Sequence, residues 1–218
     1  MKIGILGTGQ VGRTLASRLT GLDHDVVLGA REATNPRATE WAESTDGRAR
    51  AGTFADAAGH GEVVINATAG AASLRALDLA GADNLADAVL IDVANPLDFS
   101  TGALMLTVVN TDSLAEQVQR ALPRTRVVKT LNTVNAAVMA DPARLPGDHA
   151  MFMAGDDEAA KSVVRGLLEQ MGWSPAGIID LGGIAAARGM EMYLPLWVAT
   201  MNALGTAEFN IGLVRAPS

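Results

Sequence analysis

The feature that most constrains this chain is local. An apolar run, Lys2-Ile3-Gly4-Ile5-Leu6, enters Gly7-Thr8-Gly9-Gln10-Val11-Gly12 with no residue between them. Glycine-rich hexamers occur in many turns, so the flanks decide what this one is. Val11, Leu15 and Leu19 recur at i, i+4 and i+8, one stripe of a helix, and Asp25-Val26-Val27-Leu28 supplies a second strand that closes at Gly29-Ala30-Arg31. Strand, glycine turn, helix and strand make a βαβ unit shaped to hold a pyrophosphate. Gly7 turns the chain, Gly9 lets the backbone approach the phosphates, and Gly12 lets the helix pack on the strand. The phosphates would sit at the helix N-terminus, where unpaired N–H groups and the helix dipole favour negative charge, with Thr8, Gln10 and Val11 as donors.

The end of the second strand selects the dinucleotide. An acidic residue there would bind the ribose 2′-hydroxyl of NAD, and none is present. Gly29 and Ala30 leave room for a 2′-phosphate, and Arg31 offers a planar guanidinium that can hold it twice. NADP is the expected cofactor, although Glu32 is a neighbouring acceptor.

The remainder continues the alternation of strand and helix. Helix is expected over 32–44, 73–80, from a Thr111-Asp112 cap to about Leu122, from Thr133, and over 157–171. Strands are expected over 50–54, 62–68, 88–93, 126–131, 151–153 and 178–181. Continuous apolar runs such as Ala88-Val89-Leu90-Ile91-Asp92-Val93 suit parallel strands covered on both faces. The expected fold is α/β, a doubly wound, mostly parallel Rossmann-type sheet with an apolar C-terminal helix packed on it. Residues 1–182 read as the NADP-binding domain. Residues 183–218 read as a helical segment completing the cleft or a dimer interface. That helix, expected from Gly183 to Gly205 with a kink at Pro195, is apolar nearly all round: Tyr193, Trp197 and Met201 on one face, Leu194 and Val198 on another. A homodimer follows as an expectation.

Composition narrows the partners. The net charge of −7 is spread without acidic or basic blocks, so neither nucleic acid nor a membrane surface is an expected partner. The chain has no cysteine, hence no disulfide framework, thiolate nucleophile or cysteine metal site. No metal site is expected. Strand and phosphate loop occupy the first 12 residues, and the apolar stretch 184–205 carries Arg188, Glu191 and Pro195, against a membrane span. The expected location is cytoplasmic.

Ligands of open α/β sheets bind outside the carboxyl ends of the strands. Beyond the Gly7 loop and Ala30-Arg31, those ends are Thr68-Ala69-Gly70, Asn95-Pro96 and Asn132-Thr133-Val134-Asn135. The small residues 68–70 would let a ribose or nicotinamide ring lie against the backbone. Asn95 and Asn132 each donate and accept and could orient a carboxamide, or could simply cap the next helix. Asn132 and Thr68 are positioning candidates, and no catalytic acid or base is assigned. His24, His60 and His149 read as surface residues, Lys2 and Lys161 as solvated. Lys129, on a strand near the cleft, is the sole candidate proton donor.

With these residues placed, the chain resembles the coenzyme F420-dependent NADP oxidoreductase family over nearly its full length. The matching features are Gly7-Thr8-Gly9-Gln10-Val11-Gly12, Gly29-Ala30-Arg31, Val128-Lys129-Thr130-Leu131-Asn132-Thr133, Gly155-Asp156-Asp157, and Leu181-Gly182-Gly183 before the apolar helix. The resemblance implies direct hydride exchange between NADP(H) and the deazaflavin F420, stacked face to face, with no general acid beyond solvent. Thr68-Ala69-Gly70 and Asn132 depart from the archaeal pattern, where that loop resembles Ile-Pro-Trp and a histidine takes the place of Asn132. The departure falls on the deazaflavin half of the pocket. The same fingerprint also resembles ferric reductase domains that use flavin. Reduction of another acceptor (a flavin, a carbonyl or an imine) and a non-enzymatic NADP-binding module remain open at this point.

Overall fold

The computed structural model describes residues 1–45, 47–214 and 216. Its elements run β1 (Lys2–Leu6), α1 (Gln10–Thr20), β2 (Asp25–Ala30), α2 (Pro36–Glu43), β3 (Ala49–Thr53), α3 (Phe54–His60), β4 (Val63–Asn66), α4 (Gly70–Ala80), β5 (Val89–Asp92), β6 (Leu97–Asp98), β7 (Met105–Leu106), α5 (Leu114–Ala121), β8 (Arg126–Thr130), α6 (Ala136–Ala140), β9 (Met151–Ala154), α7 (Glu158–Met171), β10 (Ile178–Asp180), α8 (Ala187–Met192) and α9 (Leu194–Leu204).

Eight strands form one sheet in the order β10-β9-β8-β5-β4-β1-β2-β3. Six of them, β3 to β8 through the centre, are parallel, which is the doubly wound arrangement the alternating pattern implies. β9 runs antiparallel to β8 and carries β10 parallel to itself, a reversal that the sequence pattern does not announce. The central strands are buried throughout because both faces are covered. Leu15, Leu19, Trp41, Val138 and Val164 pack on one side, and Phe54, Ala57, Leu77, Leu114 and Val118 on the other. No helix among the described residues is long and apolar enough to cross a membrane.

Several helix starts differ from expectation for identifiable reasons. α2 begins at Pro36, because Asn35 accepts from the Ala38 amide as N-cap and proline suits the first helical position. The helix expected from Thr133 starts at Ala136, where Asn135 is the cap, and Ser113 rather than Thr111-Asp112 caps α5. Pro195 does not kink a long helix. The C-terminal segment breaks at Tyr193, and Pro195 lies in the first turn of α9, where it forfeits no intrahelical bond. Nor is α9 enclosed: Leu194 is its one buried side chain, while Leu196 is 63% and Leu204 58% exposed. The β6–β7 hairpin is too short to leave a periodic signal in the sequence.

Candidate functional site

The carboxyl ends of the parallel strands meet at one edge of the sheet, and the glycine loop is built there. Gly7 has φ +116°, and a Cβ on it would lie 2.7 Å from the Ala67 carbonyl oxygen. A Cβ on Gly12 would lie 1.9 Å from Gly7 O, whereas one on Gly9 would meet no protein atom within 4 Å. Gly7 and Gly12 thus serve the turn and the helix contact, and Gly9 opens onto free space. Gly9 is also the N-cap of α1, with no side-chain acceptor and no acidic residue in the first turn, so that helix end is left for an external anion. Thr8 keeps its carbonyl on Arg13 Nη1 (2.6 Å) and Gln10 is exposed. One strand over, Ala30 is buried and Arg31 exposed, and among the described residues Arg31 makes no ion pair. An anion at α1 and a phosphate at Arg31 both fit what these residues leave unfilled.

Beside the loop lies a cavity of about 380 Å³. Val11, Thr68, Ala69, Gly70, Asn95, Asn132 and Val134 line it, together with Phe99 of the β6–β7 hairpin, Met139, Leu194 and Trp197. The other expected residues, from Gly7 to Gln10, Gly12, Ala30, Arg31 and Pro96, flank it along the same edge. Among the described residues, no ionisable side chain lines the cavity. Gly70 is small for a different reason from the one expected: its Cβ would fall 2.0 Å from Asn95 O, so its space is used by the adjoining backbone rather than by a ligand.

Neither asparagine is a helix cap. Asn95 Nδ2 donates to the Asn132 carbonyl (2.9 Å), and Asn132 Nδ2 donates to Asn95 Oδ1 (2.9 Å) and Met190 O (3.1 Å). Leu131, just past β8, precedes Asn132 in the left-handed region, φ +64°, a conformation that costs a non-glycine residue about 1 kcal/mol or more and turns the chain out of the sheet. Thr68 is held from beneath. Asp92 accepts from Asn66 Nδ2 (2.8 Å), which fixes the Asn66 amide so that its oxygen takes the Thr68 hydroxyl proton (2.7 Å). With its proton given to Asn66, the Thr68 hydroxyl accepts from Ser73 Oγ (2.9 Å), so it is held on both sides within this polar cluster.

Lys129 is fully buried and absent from the cavity lining. Its ammonium binds Asp92 Oδ2 (2.8 Å), Glu191 Oε1 (2.9 Å) and the Ala94 carbonyl. Burial opposes its charge, but the two carboxylates outweigh burial and hold its pKa above the ordinary lysine value. A sealed cation that binds its proton more tightly than usual is unsuited to act as general acid. Two further side chains are less exposed than expected. His24 is 5% exposed beside the N-terminal ammonium, and burial with that charge keeps its pKa low. Lys161 is buried against Asp180 and Glu158. Phe99 and Met139 carry no sequence signal; Asn95, Asn132 and Trp197 do, but without their roles.

Comparison with known proteins adds to this geometry. The family model described as "NADP oxidoreductase coenzyme F420-dependent" matches residues 2–96. Metalloreductase STEAP3 of Rattus norvegicus is 34% identical over 94% of this chain, which spans only 39% of that protein's length. The F420-dependent NADP reductase of Methanothermobacter marburgensis is 31% identical over 91% of each chain. A crystal structure of a proposed F420-dependent NADP-reductase from Arthrobacter sp. FB24 superposes with a TM-score of 0.93 at 49% identity, covering 99% of this chain and all of that one.

Proposed function

Since the chain belongs to the family of F420-dependent NADP oxidoreductases, we propose that it transfers a hydride between NADP(H) and a deazaflavin of the F420 type held together in the cleft. The observation that carries this reading is the cavity wall, which is largely apolar with a few neutral polar side chains and, among the described residues, holds no titratable side chain. Reducing a carbonyl or imine calls for a positioned proton donor, whereas hydride exchange between two ring systems does not. When bound, the two cofactors supply the redox chemistry, and the protein supplies binding, orientation and dryness.

In this reading the α1 N-terminus and the amides of Thr8, Gln10 and Val11 hold the pyrophosphate, Gly7, Gly9 and Gly12 give it room, and Arg31 with Ala30 holds the 2′-phosphate. Thr68, Ala69, Gly70, Asn95, Pro96, Asn132 and Val134 frame the nicotinamide half. Phe99, Leu194, Met139 and Trp197 keep water out. Residues 1–182 bind NADP, and 183–218 complete the cleft and present the exposed face of α9 to a second copy of the chain.

The test mixes purified protein with reduced F420 and NADP⁺ and follows deazaflavin absorbance, with reduced FMN as control. Appearance of oxidised F420 at a rate proportional to protein supports the reading. Confirmed NADPH binding with no turnover of F420 would overturn the choice of acceptor and leave the NADP half intact.

A further inference from the structure

We propose that residues 206–211 form a strap that His149 holds down only while its imidazole is neutral, so that acidification releases the strap and, with it, the Trp197 side of the cleft. The strap leaves α9 at Gly205 and returns to the start of β9. Ile211 O accepts from the Ala150 amide (2.8 Å), the Ala207 carbonyl accepts from Asn135 Nδ2, and Asn210 bridges His149 and Ala150. Phe209 stacks on Trp197, with centroids 5.3 Å apart and planes 22° apart. Trp197 and Asn135 both line the cavity, so the strap supports two residues of its wall.

The neighbours of the half-buried His149 fix its tautomer. Ala150 O is a main-chain carbonyl and only accepts, so the Asn210 atom 2.8 Å from it is the amide nitrogen, and the Asn210 oxygen takes the Ile211 amide proton (2.9 Å). The same nitrogen lies 2.9 Å from His149 Nδ1, which must offer a lone pair, while Nε2, 3.1 Å from the Pro142 carbonyl, carries the proton. Edge-on contact with Trp173, with centroids 5.2 Å apart and planes at 76°, sets the ring plane. A proton on Nδ1 would aim one donor at another. Turning the Asn210 amide over is no remedy, because its oxygen would then face the Ala150 carbonyl and its NH₂ the Ile211 amide. The closed strap thus excludes a proton that the open strap admits. Closure is favoured above the range in which imidazoles charge, about pH 6.5, and is lost as pH falls through it.

Charged groups near the ring do not reverse this sign. Asp148, the adjacent carboxylate, lines the two cavities of about 240 and 120 Å³ that flank His149, but it is exposed, and solvent weakens its pull on an imidazolium. Glu208 of the strap is paired with Arg144 (2.6 Å), and Arg18 of α1 donates to the Met171 carbonyl (2.8 Å). The 172–177 turn that carries Trp173 holds no charged side chain.

The test follows the three indole N–H signals in ¹H–¹⁵N spectra from pH 8 to pH 5, assigned by single Trp→Phe variants. Trp173 should report the charging of His149 beside it, and Trp197 should shift with the same midpoint as Phe209 leaves it. Asn210→Ala should put the Trp197 signal near its low-pH position throughout. His149→Gln, which keeps an acceptor for Asn210 but takes no proton, should hold it at the high-pH position. A Trp197 signal that stays in place while Trp173 titrates overturns the strap, and that result needs no variant of His149 or Asn210; a shift that survives in His149→Gln also overturns it. NADP⁺ affinity of the wild type relative to His149→Gln should fall several-fold between pH 7.5 and pH 5.5, a ratio in which titration of the cofactor's own 2′-phosphate cancels. A constant ratio would overturn the link between strap and cleft. The spectra need no ligand, so absence of NADP⁺ binding by either protein would overturn the NADP reading and leave the strap standing.

Discussion

Replacing Lys129 with Met is the sharpest test of how the cleft is supported. Lys129 is 0% exposed, as is Asp92, and Glu191 is 1% exposed, so the three charges share one dry site with a net charge of −1. At 2.8–2.9 Å each ion pair has a gross attraction of about 6 kcal/mol at an effective dielectric constant near 20, much of it offset by desolvation. Methionine removes the cation and leaves two buried carboxylates. Each keeps other donors: Asn66 Nδ2 and the Ala94 amide on Asp92, the Leu114 and Ala115 amides on Glu191. We therefore expect the loss to fall at about 4 kcal/mol, the middle of the range for breaking a buried pair, and Tm to drop by roughly 8–16 °C in a domain of this size. Urea unfolding followed by circular dichroism measures the loss, and Asp92→Asn completes the cycle. In the double variant one of the two buried carboxylates is gone and the net charge returns to −1. The double variant should thus be no less stable than Lys129→Met, and since Asp92→Asn alone breaks the same buried pair at a cost of about 3 kcal/mol, the coupling between the neighbours is of that size. Additive losses, or a Lys129→Met cost below about 1 kcal/mol, would refute the account of an electrostatically closed triad. The pH dependence has a defined sign. The pKa of Lys129 is raised in the folded state, so its contribution is complete below the ordinary value of 10.5 and is lost as pH rises through the folded value. Wild type should lose this component above about pH 10.5 and Lys129→Met should lack it.

Three further outcomes follow from the geometry. Arg31→Asp, at an exposed position outside the fold's ion pairs, should weaken NADPH by about 3 kcal/mol and spare NADH, measured by fluorescence titration; equal losses for the two cofactors would exclude a 2′-phosphate contact. Gly9→Ala should leave stability within about 0.5 kcal/mol, since its Cβ meets no protein atom, yet weaken NADPH at least tenfold, while Gly12→Ala should destabilise the fold by about 3 kcal/mol or more through the contact with Gly7 O. A Gly9→Ala protein with undiminished affinity would show that no phosphate approaches there. Leu196→Lys, 63% exposed, should leave the unfolding midpoint of the isolated chain unchanged but convert a dimer to monomers in analytical ultracentrifugation; a wild type that sediments as monomer would remove the proposed use of α9.

What the sequence discloses is what is encoded locally. β1, α1 and β2 are legible because the glycine spacing, the apolar stripe and the next strand all lie within one βαβ unit. The same holds for the strand ends that carry Thr68, Asn95 and Asn132. Long-range contacts are not legible. Lys129 reads as a free cation near the cleft because its partners stand far off in the chain, one of them on the C-terminal segment. His24 and Lys161 read as exposed for the same reason, since the partner of a polar side chain leaves no periodic trace. The apolar pattern locates Trp197 on its helix but does not show that its indole nitrogen lacks an acceptor.

The triad and the cleft are joined through two consecutive residues of α8. Met190 holds the Asn132 side chain with its carbonyl, and Glu191 accepts from Lys129 and from the first amides of α5. Leu194 and Trp197 of the cavity wall follow within two turns, so the position of the wall depends on that anchor. Glu191→Gln isolates the dependence. Both carboxylate oxygens accept from donors, Oε1 from Lys129 and Ala115 N and Oε2 from Leu114 N, so a glutamine must turn its NH₂ against one of them. The clash should cost about 2–3 kcal/mol of stability and, because it displaces α8, reduce NADP⁺ affinity several-fold. In the proposed binding mode the adenine half lies by Arg31, across the switch point from the strands that α8 packs against. Affinity for 2′-phospho-ADP-ribose, which lacks nicotinamide, should therefore be unchanged in the variant. If both ligands weaken alike, the loss is general loosening of the fold, and α8 does not set the nicotinamide wall.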